Sequence, residues 1–100
     1  MKALYDEISD VLQGVFYCIV KKYEYQFYSP NIPQDVGKRM TDFLYNLRYT
    51  HHLLSDYKIT LEIIPPKIPG YPRTAQYKIW MYAGFWTNET KTVTIEWEIT

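Results

Sequence analysis

Apolar residues recur with helical spacing at the start of the chain. The first stripe consists of Leu4, Ile8, Val11 and Leu12. Because positions three and four apart lie on one face of a helix, this stripe predicts an amphipathic helix. Gly14 follows the stripe, and glycine is common just beyond the end of a helix. We therefore expect a first helix from Ala3 to Gln13.

The next segment, residues 15–28, fits two structures. A helix could continue the first stripe past Gly14 through Val15 and Ile19. A strand would explain why aromatic residues alternate with other side chains from residue 23 to residue 28. Since no turn residue interrupts the segment, we predict a strand over residues 15–28. The adjacent Lys21 and Lys22 would put charge on both of its faces, which predicts a bulge or a sheet margin there.

The clearest helical pattern lies in the middle of the chain. Its stripe comprises Val36, Met40, Phe43, Leu44, Leu47 and Leu54. Asn31 and Gln34 have the spacing of a capping box, and Pro33 suits a first helical turn. We predict a long helix from about Pro33 to Leu54.

Three strands are predicted after this helix. Residues 58–64 alternate in polarity and stop where Pro65 and Pro66 remove backbone donors. Two further strands, over residues 76–86 and 92–99, flank a polar segment suited to a hairpin loop.

These elements predict a single domain, residues 1–100, with the order αβαβββ. The long helix would cross over between the first and second strands, and the last three strands would form an antiparallel meander. The expected fold is a two-layer α+β arrangement, with a mainly antiparallel sheet and both helices on one of its faces.

The sheet face away from the helices, called here the outer face, is the main candidate for function. Strand parity assigns to it Lys58, Lys78, Trp80, Tyr82 and Trp86. Aromatic rings outside the core offer flat apolar area to a protein partner or to nucleic-acid bases. Glu62, Glu96 and Glu98 share this face and would repel phosphate, so a protein interface is favoured over nucleic acid. The structural alternative is a loop or terminus that covers the rings.

Two other groups of residues are candidate contacts. The proline-rich loop presents Lys67, Tyr71 and Arg73, and its stiffness lowers the entropy lost on binding. Along the long helix, Tyr45, Tyr49 and His52 follow one another at helical spacing. This line is either a partner-binding edge or the shoulder of the core.

Catalytic chemistry has no positive support in the sequence. Cys18 lies between Tyr17 and Ile19 in the predicted strand, which favours a buried and inert thiol. No glycine-rich phosphate loop, metalloprotease motif or nucleophile elbow occurs. We expect no enzymatic activity and no cofactor, and we keep a small-ligand pocket near Tyr49, His52 and Cys18 as a minor alternative.

Composition narrows the class of protein. The 100 residues are 47% hydrophobic and carry no formal net charge, so no broad basic field attracts polyanions. A single cysteine excludes an internal disulfide. Asp6 and Glu7 stand where a signal peptide would be basic or apolar, and no apolar run has the length of a membrane span. We therefore expect a cytoplasmic protein with no membrane contact.

Aromatic residues make up 18% of the chain, and 11 residues are tyrosine. This composition resembles that of small orphan proteins of viruses, notably those that infect thermophilic archaea. The segment Ala83-Gly84-Phe85-Trp86, followed by residues 93–98, resembles the closing β-hairpin of phage tail-terminator proteins, which form rings. These resemblances imply a viral protein of the host cytoplasm or the virion, and they carry no functional residue over to this chain.

Together these observations predict a non-enzymatic interaction or assembly protein. We expect it to associate with itself, as a homodimer or a small ring, through the aromatic outer face or a strand edge. A different protein partner is also compatible with these surfaces, and nucleic-acid binding through aromatic stacking is the second hypothesis.

Overall fold

The protein is described by a computed structural model that covers residues 2–99. Within this range the chain forms helix α1 (Lys2–Lys22) and helix α2 (Asn31–Tyr49). Strands β1 (Asp56–Ile64), β2 (Arg73–Tyr82) and β3 (Thr90–Ile99) follow. The predicted α+β class is confirmed, but the order of elements is ααβββ and not αβαβββ.

Helix α1 runs through Gly14, so the prediction of a strand over residues 15–28 was wrong. Phe16, Ile19 and Val20 are buried in the core, which extends the apolar stripe of the first helix by two turns. This burial outweighs the preference of β-branched and aromatic residues for strands. Lys21 and Lys22 lie in the last helical turn and do not form the predicted bulge. Their positive charge interacts favourably with the negative end of the helix dipole.

The chain turns after α1, in the segment where the alternation of residues 23–28 predicted a strand. Glu24 and Tyr25 adopt positive φ angles of 55° and 60°, and the Tyr25 amide donates a hydrogen bond to the Val20 carbonyl oxygen at 2.9 Å. This bond closes the end of α1 and redirects the chain toward α2.

Helix α2 starts slightly earlier and ends earlier than predicted. It begins after Pro30, with no side-chain cap, so the capping pair of Asn31 and Gln34 does not form. Although α2 stops at Tyr49, Leu54 is still buried, because the chain folds back after the helix. The amide of Leu54 donates a hydrogen bond to the Leu47 carbonyl oxygen at 3.3 Å.

The sheet is an antiparallel meander with the strand order β1-β2-β3, as predicted for the last three strands. Residue 60 of β1 lies opposite residue 78 of β2, which in turn lies opposite residue 94 of β3. Because the predicted strand before α2 is absent, β1 and β3 are the two margins of the sheet.

The core lies between the sheet and the two helices. The sheet face directed toward the helices, called here the inner face, contributes Ala75, Tyr77, Ile79, Met81, Val93, Ile95 and Trp97. Both helices pack their buried stripes into the same cluster, as the two-layer prediction required. Trp97 is its aromatic centre, with ring centroids 5.0 Å from Phe16 and 6.1 Å from Tyr77.

Candidate interaction surface

The free margin of β1 is the most exposed part of the sheet framework. Within residues 2–99, β1 pairs only with β2, so its other side presents unpaired backbone groups. The odd-numbered residues of β1 from 57 to 63 belong to the inner face, which in a two-layer fold is covered by the helices. Tyr57 and Ile59 are packed against the core, whereas Leu61 and Ile63 are 43% and 40% exposed.

The course of α2 explains this incomplete cover. Near its start, the Pro33 carbonyl oxygen accepts a hydrogen bond from the Tyr77 hydroxyl at 2.5 Å, which places this end over the central strand. Near its end, Arg48 pairs with Asp56 at 2.9 Å, at the first residue of β1. The helix therefore crosses the sheet obliquely and leaves the second half of β1 without a helical neighbour. We call Leu61, Ile63 and the free margin of β1 the open edge.

At the other margin, β3, the apolar side chains of the inner face are covered. Helix α1 packs against β3, and the inner-face residues Val93, Ile95 and Trp97 of this strand are all buried. The inner faces of the two margin strands thus differ within residues 2–99. Leu61 and Ile63 of β1 are exposed, whereas the apolar inner-face residues of β3 are buried or, at Ile99, partly buried. Exposed apolar strand margins favour pairing with another chain.

The outer face holds fewer free aromatic rings than the sequence suggested. Trp80 and Tyr82 lie on it as predicted by parity, and both are half-buried. The ring of Tyr82 packs close to the backbone of Gly84, whose amide donates a hydrogen bond to the Ser55 hydroxyl at 2.9 Å. Part of the aromatic area is therefore covered by the protein's own chain.

Trp86 does not belong to the outer face, because β2 ends at Tyr82 and not at residue 86. The Ala83 amide donates to the Tyr5 hydroxyl at 3.0 Å instead of continuing the ladder. The Trp86 amide then donates to the Ala83 carbonyl oxygen at 2.9 Å and closes a turn. Trp86 and its neighbour Phe85 are exposed at the tip of this turn.

Charged residues on the outer face are arranged unevenly. On β3, the Glu96 carboxylate accepts a hydrogen bond from the side-chain amide of Gln76 at 3.0 Å. Lys58 and Glu62 lie on the outer face of β1, at its margin, and both are exposed. Neither forms an ion pair with any residue of the described chain, 2–99.

Of the three residues predicted to lie in the proline-rich loop, two do and one lies in a strand. Lys67 and Tyr71 lie in the connection between β1 and β2 and are exposed. Arg73 is instead the first residue of β2 and pairs in register with Ile99. Tyr71 and Arg73 help to line a shallow cleft together with Pro66, Gly70 and Pro72.

Of the three residues predicted to follow one another along the long helix, only Tyr45 and Tyr49 lie on it. Tyr45 and Tyr49 are exposed neighbours on α2, with ring centroids 4.7 Å apart. His52 lies beyond the end of the helix at Tyr49, with a φ angle of 54°, so helical spacing does not apply to it.

Cys18 is exposed on α1, so the expectation of a buried thiol was wrong. It borders an apolar groove between the helices, which Val11, Val15 and Arg39 also line. This groove lies toward the joined ends of the helical hairpin, whereas Tyr49 and His52 lie at the far end of α2. The small-ligand pocket proposed near all three residues is therefore not formed.

A polar contact between the end of α1 and the start of α2 lies beside this groove. The Tyr23 hydroxyl donates a hydrogen bond to Asp35, and Lys22 lies 3.7 Å from the same carboxylate. The hydrogen bond from Tyr23, helped by the charge of Lys22, holds the pKa of Asp35 below its ordinary value. The same hydrogen bond raises the pKa of Tyr23. This pair joins the end of α1 to the start of α2.

Sequence reasoning missed Leu61 and Ile63 as surface residues. Their alternation assigned them correctly to the inner face, and that face is normally covered. The sequence carries no signal that would have found them, because the course of α2 over the sheet is set by contacts between residues far apart in the chain.

Comparisons with protein-family models, curated proteins and solved structures find no match to this chain. Within residues 2–99, neither helix carries an apolar stretch that would span a bilayer.

Proposed function

We propose that this protein is a non-enzymatic assembly protein that associates with itself along the open edge. The observation that supports the proposal is the coincidence of two features at one margin of the sheet. Strand β1 has no neighbour on one side within residues 2–99, and Leu61 and Ile63 are exposed beside that side.

Association at this edge would satisfy both features. A strand added to β1 would pair the free backbone groups, as strand addition does in many complexes. Leu61 and Ile63 would then be buried against the added strand. Burial of the exposed part of each side chain contributes about 1 kcal/mol, since full burial of such a residue contributes about 1.5–3 kcal/mol.

The open edge is a better contact surface than the outer face. Trp80 and Tyr82 are half-buried already, so they have less area to lose to a partner. Glu62 and Glu98 are exposed on the same face and disfavour contact with nucleic-acid phosphates. These features favour a protein interface at the margin over base stacking on the face.

The distance in the fold between the one thiol and the two histidines supports a role without catalysis. Cys18 lies on α1, toward the joined ends of the helices, whereas His51 and His52 follow the opposite end of α2. A thiol is activated by a base within hydrogen-bond reach, and this arrangement does not bring the two together.

The proposal is tested by sedimentation velocity over a range of micromolar protein concentrations. We expect the wild type to sediment above the monomer mass, and Leu61→Thr/Ile63→Thr to sediment as a monomer. The double variant keeps β-branched residues in the strand but removes the apolar flank. Ile68→Thr is the matched control, because Ile68 is an exposed apolar residue of the neighbouring loop.

The control variant should associate as the wild type does. A wild type that stays monomeric at every concentration, or a double variant that associates as strongly as the wild type, would overturn the proposal.

A further inference from the structure

Two of the three charged residues of β1, Lys58 and Glu62, are placed symmetrically about the middle of the strand. β1 has nine residues, Asp56–Ile64, so Thr60 is its central residue. Lys58 and Glu62 lie two residues to either side of Thr60 on the outer face. Both are exposed and neither has an ionic partner within residues 2–99.

We infer that the partner of the open edge is a single second copy of this chain, bound antiparallel to β1 about a two-fold axis at Thr60. This inference rests on the proposed function and adds to it the symmetry, the register and the size of the assembly. A two-fold axis perpendicular to the sheet keeps the outer faces of both copies on the same side, so outer residues face outer residues.

In this register the charges are complementary. Lys58 of each copy lies directly opposite Glu62 of the other, which gives two opposite-charge pairs for each dimer. Directly opposed pairs of this kind stabilise antiparallel strands. All nine residues of β1 overlap, so the free backbone groups of the whole margin are paired.

The apolar flank fits the same register. On the inner face, Leu61 lies opposite Ile59 of the second copy, and Ile63 lies opposite Tyr57 of the second copy. The exposed half of each β1 thus meets the half that is packed against the core of the other copy. Cross-strand pairs of β-branched, aliphatic and aromatic residues are favourable.

Other symmetric registers lose these pairs. An axis at Lys58 or at Glu62 places like charges directly opposite each other. An axis at Ile59 places Asp56 opposite Glu62. An axis at Leu61 places Lys58 opposite Ile64 and Glu62 opposite Thr60, so it forms no opposite-charge pair. Each of these shifts also shortens the overlap, so charge and strand length favour the same register.

Strand β3 does not offer an equivalent site. Its outer-face charges are Glu96 and Glu98, and the remaining outer positions of the strand are threonines. No symmetric register of two β3 strands can therefore form an opposite-charge pair on this face. Once two β1 strands have paired, the margins of the six-stranded sheet are both β3. Because β3 has neither complementary charges nor a flank like Leu61 and Ile63, we expect assembly to stop at two copies.

Charge exchange tests the register. Lys58→Glu and Glu62→Lys each turn two attractive pairs into two repulsive pairs, and we expect each to weaken dimerisation by about tenfold or more. The double variant K58E/E62K restores opposite charges and should return the dissociation constant close to that of the wild type. Lys91→Glu is the matched control, because Lys91 is exposed on β3, at the other margin of the sheet, and the exchange should leave dimerisation nearly unchanged.

Disulfide trapping tests the axis. Thr60→Cys, in a Cys18→Ser background, places two thiols directly opposite each other, within the separation that a disulfide requires. We expect a covalent dimer upon oxidation. Thr94→Cys in the same background is the control, because residue 94 lies on β3 and should give no such product.

The outcomes separate the two proposals. A wild type that stays monomeric overturns both of them. A wild type that dimerises, with charge variants that behave as Lys91→Glu does and no cross-link at residue 60, overturns the register but leaves self-association standing. Assembly beyond two copies overturns the closed dimer.

Discussion

Glycine occurs inside both helices, and its replacement by alanine should have opposite effects at the two positions. A Cβ at Gly14 of α1 would meet no atom within 4 Å. A Cβ at Gly37 of α2 would overlap the hydroxyl and ring of Tyr77. The pair therefore separates helix propensity from packing in one protein.

The expected magnitudes follow from these surroundings. Alanine is more favourable than glycine in a helix interior by about 0.5–1 kcal/mol, so Gly14→Ala should raise the free energy of unfolding by about that amount. Gly37→Ala gains the same helix propensity, but its methyl group must displace the Tyr77 side chain. Overpacking costs about 1–3 kcal/mol, and the lost hydrogen bond to Pro33 costs about 0.5–1.5 kcal/mol. The net loss for Gly37→Ala should be about 0.5–4 kcal/mol.

The assay is urea unfolding followed by far-ultraviolet circular dichroism. Wild type and variants are compared at one protein concentration, because self-association would make the midpoint depend on concentration. The expected order of stability is Gly14→Ala, then wild type, then Gly37→Ala. Combining Gly37→Ala with Tyr77→Phe should give a loss smaller than the sum of the single losses, since both remove the same hydrogen bond.

Loss of stability in Gly14→Ala would refute the continuous α1. If a helix ended at Gly14 and a strand followed, the glycine would adopt a left-handed conformation that strains alanine. Wild-type stability of Gly37→Ala would refute the close packing of α2 on Tyr77.

Two further variants and one labelling experiment test local contacts. Tyr23→Phe should raise the pKa of Asp35 toward its ordinary value of 3.8 in a carboxyl NMR titration. The stability contributed by this hydrogen bond is present above pH 3.8 and is lost as pH falls through the lower pKa of the folded state, so wild type and variant should converge in acid. Tyr77→Phe leaves the Pro33 carbonyl oxygen without its donor and should lower the free energy of unfolding by about 1 kcal/mol in urea titrations. Cys18 should react with a thiol reagent in the folded protein without denaturant, and a thiol that reacts only after unfolding would contradict its exposure on α1.

The sheet was predictable because its strands have one apolar face. The alternation in β3 identified Val93, Ile95 and Trp97 as core residues, and all three are buried. The same reasoning failed for residues 15–28, where strand propensity and helical period disagreed. The apolar period from Ile8 to Ile19 is helical throughout, and burial against α2 and the sheet decided in its favour.

The open edge could not be read from the sequence in the same way. Alternation assigns Leu61 and Ile63 to the inner face, but it does not say which inner residues a helix covers. Cover depends on the direction of α2, which is fixed by distant contacts such as the Tyr77 bond to Pro33 and the Arg48 pair with Asp56. It also depends on the number of strands, since a fourth strand could have occupied the margin of β1.

The most direct measurement is amide hydrogen exchange at two protein concentrations, read residue by residue by NMR. Pairing at the open edge predicts that the outward amides of β1 exchange more slowly at the higher concentration, while those at the free margin of β3 stay unchanged. Exchange in β1 that is independent of concentration, or protection that arises at β3 instead, would contradict the account.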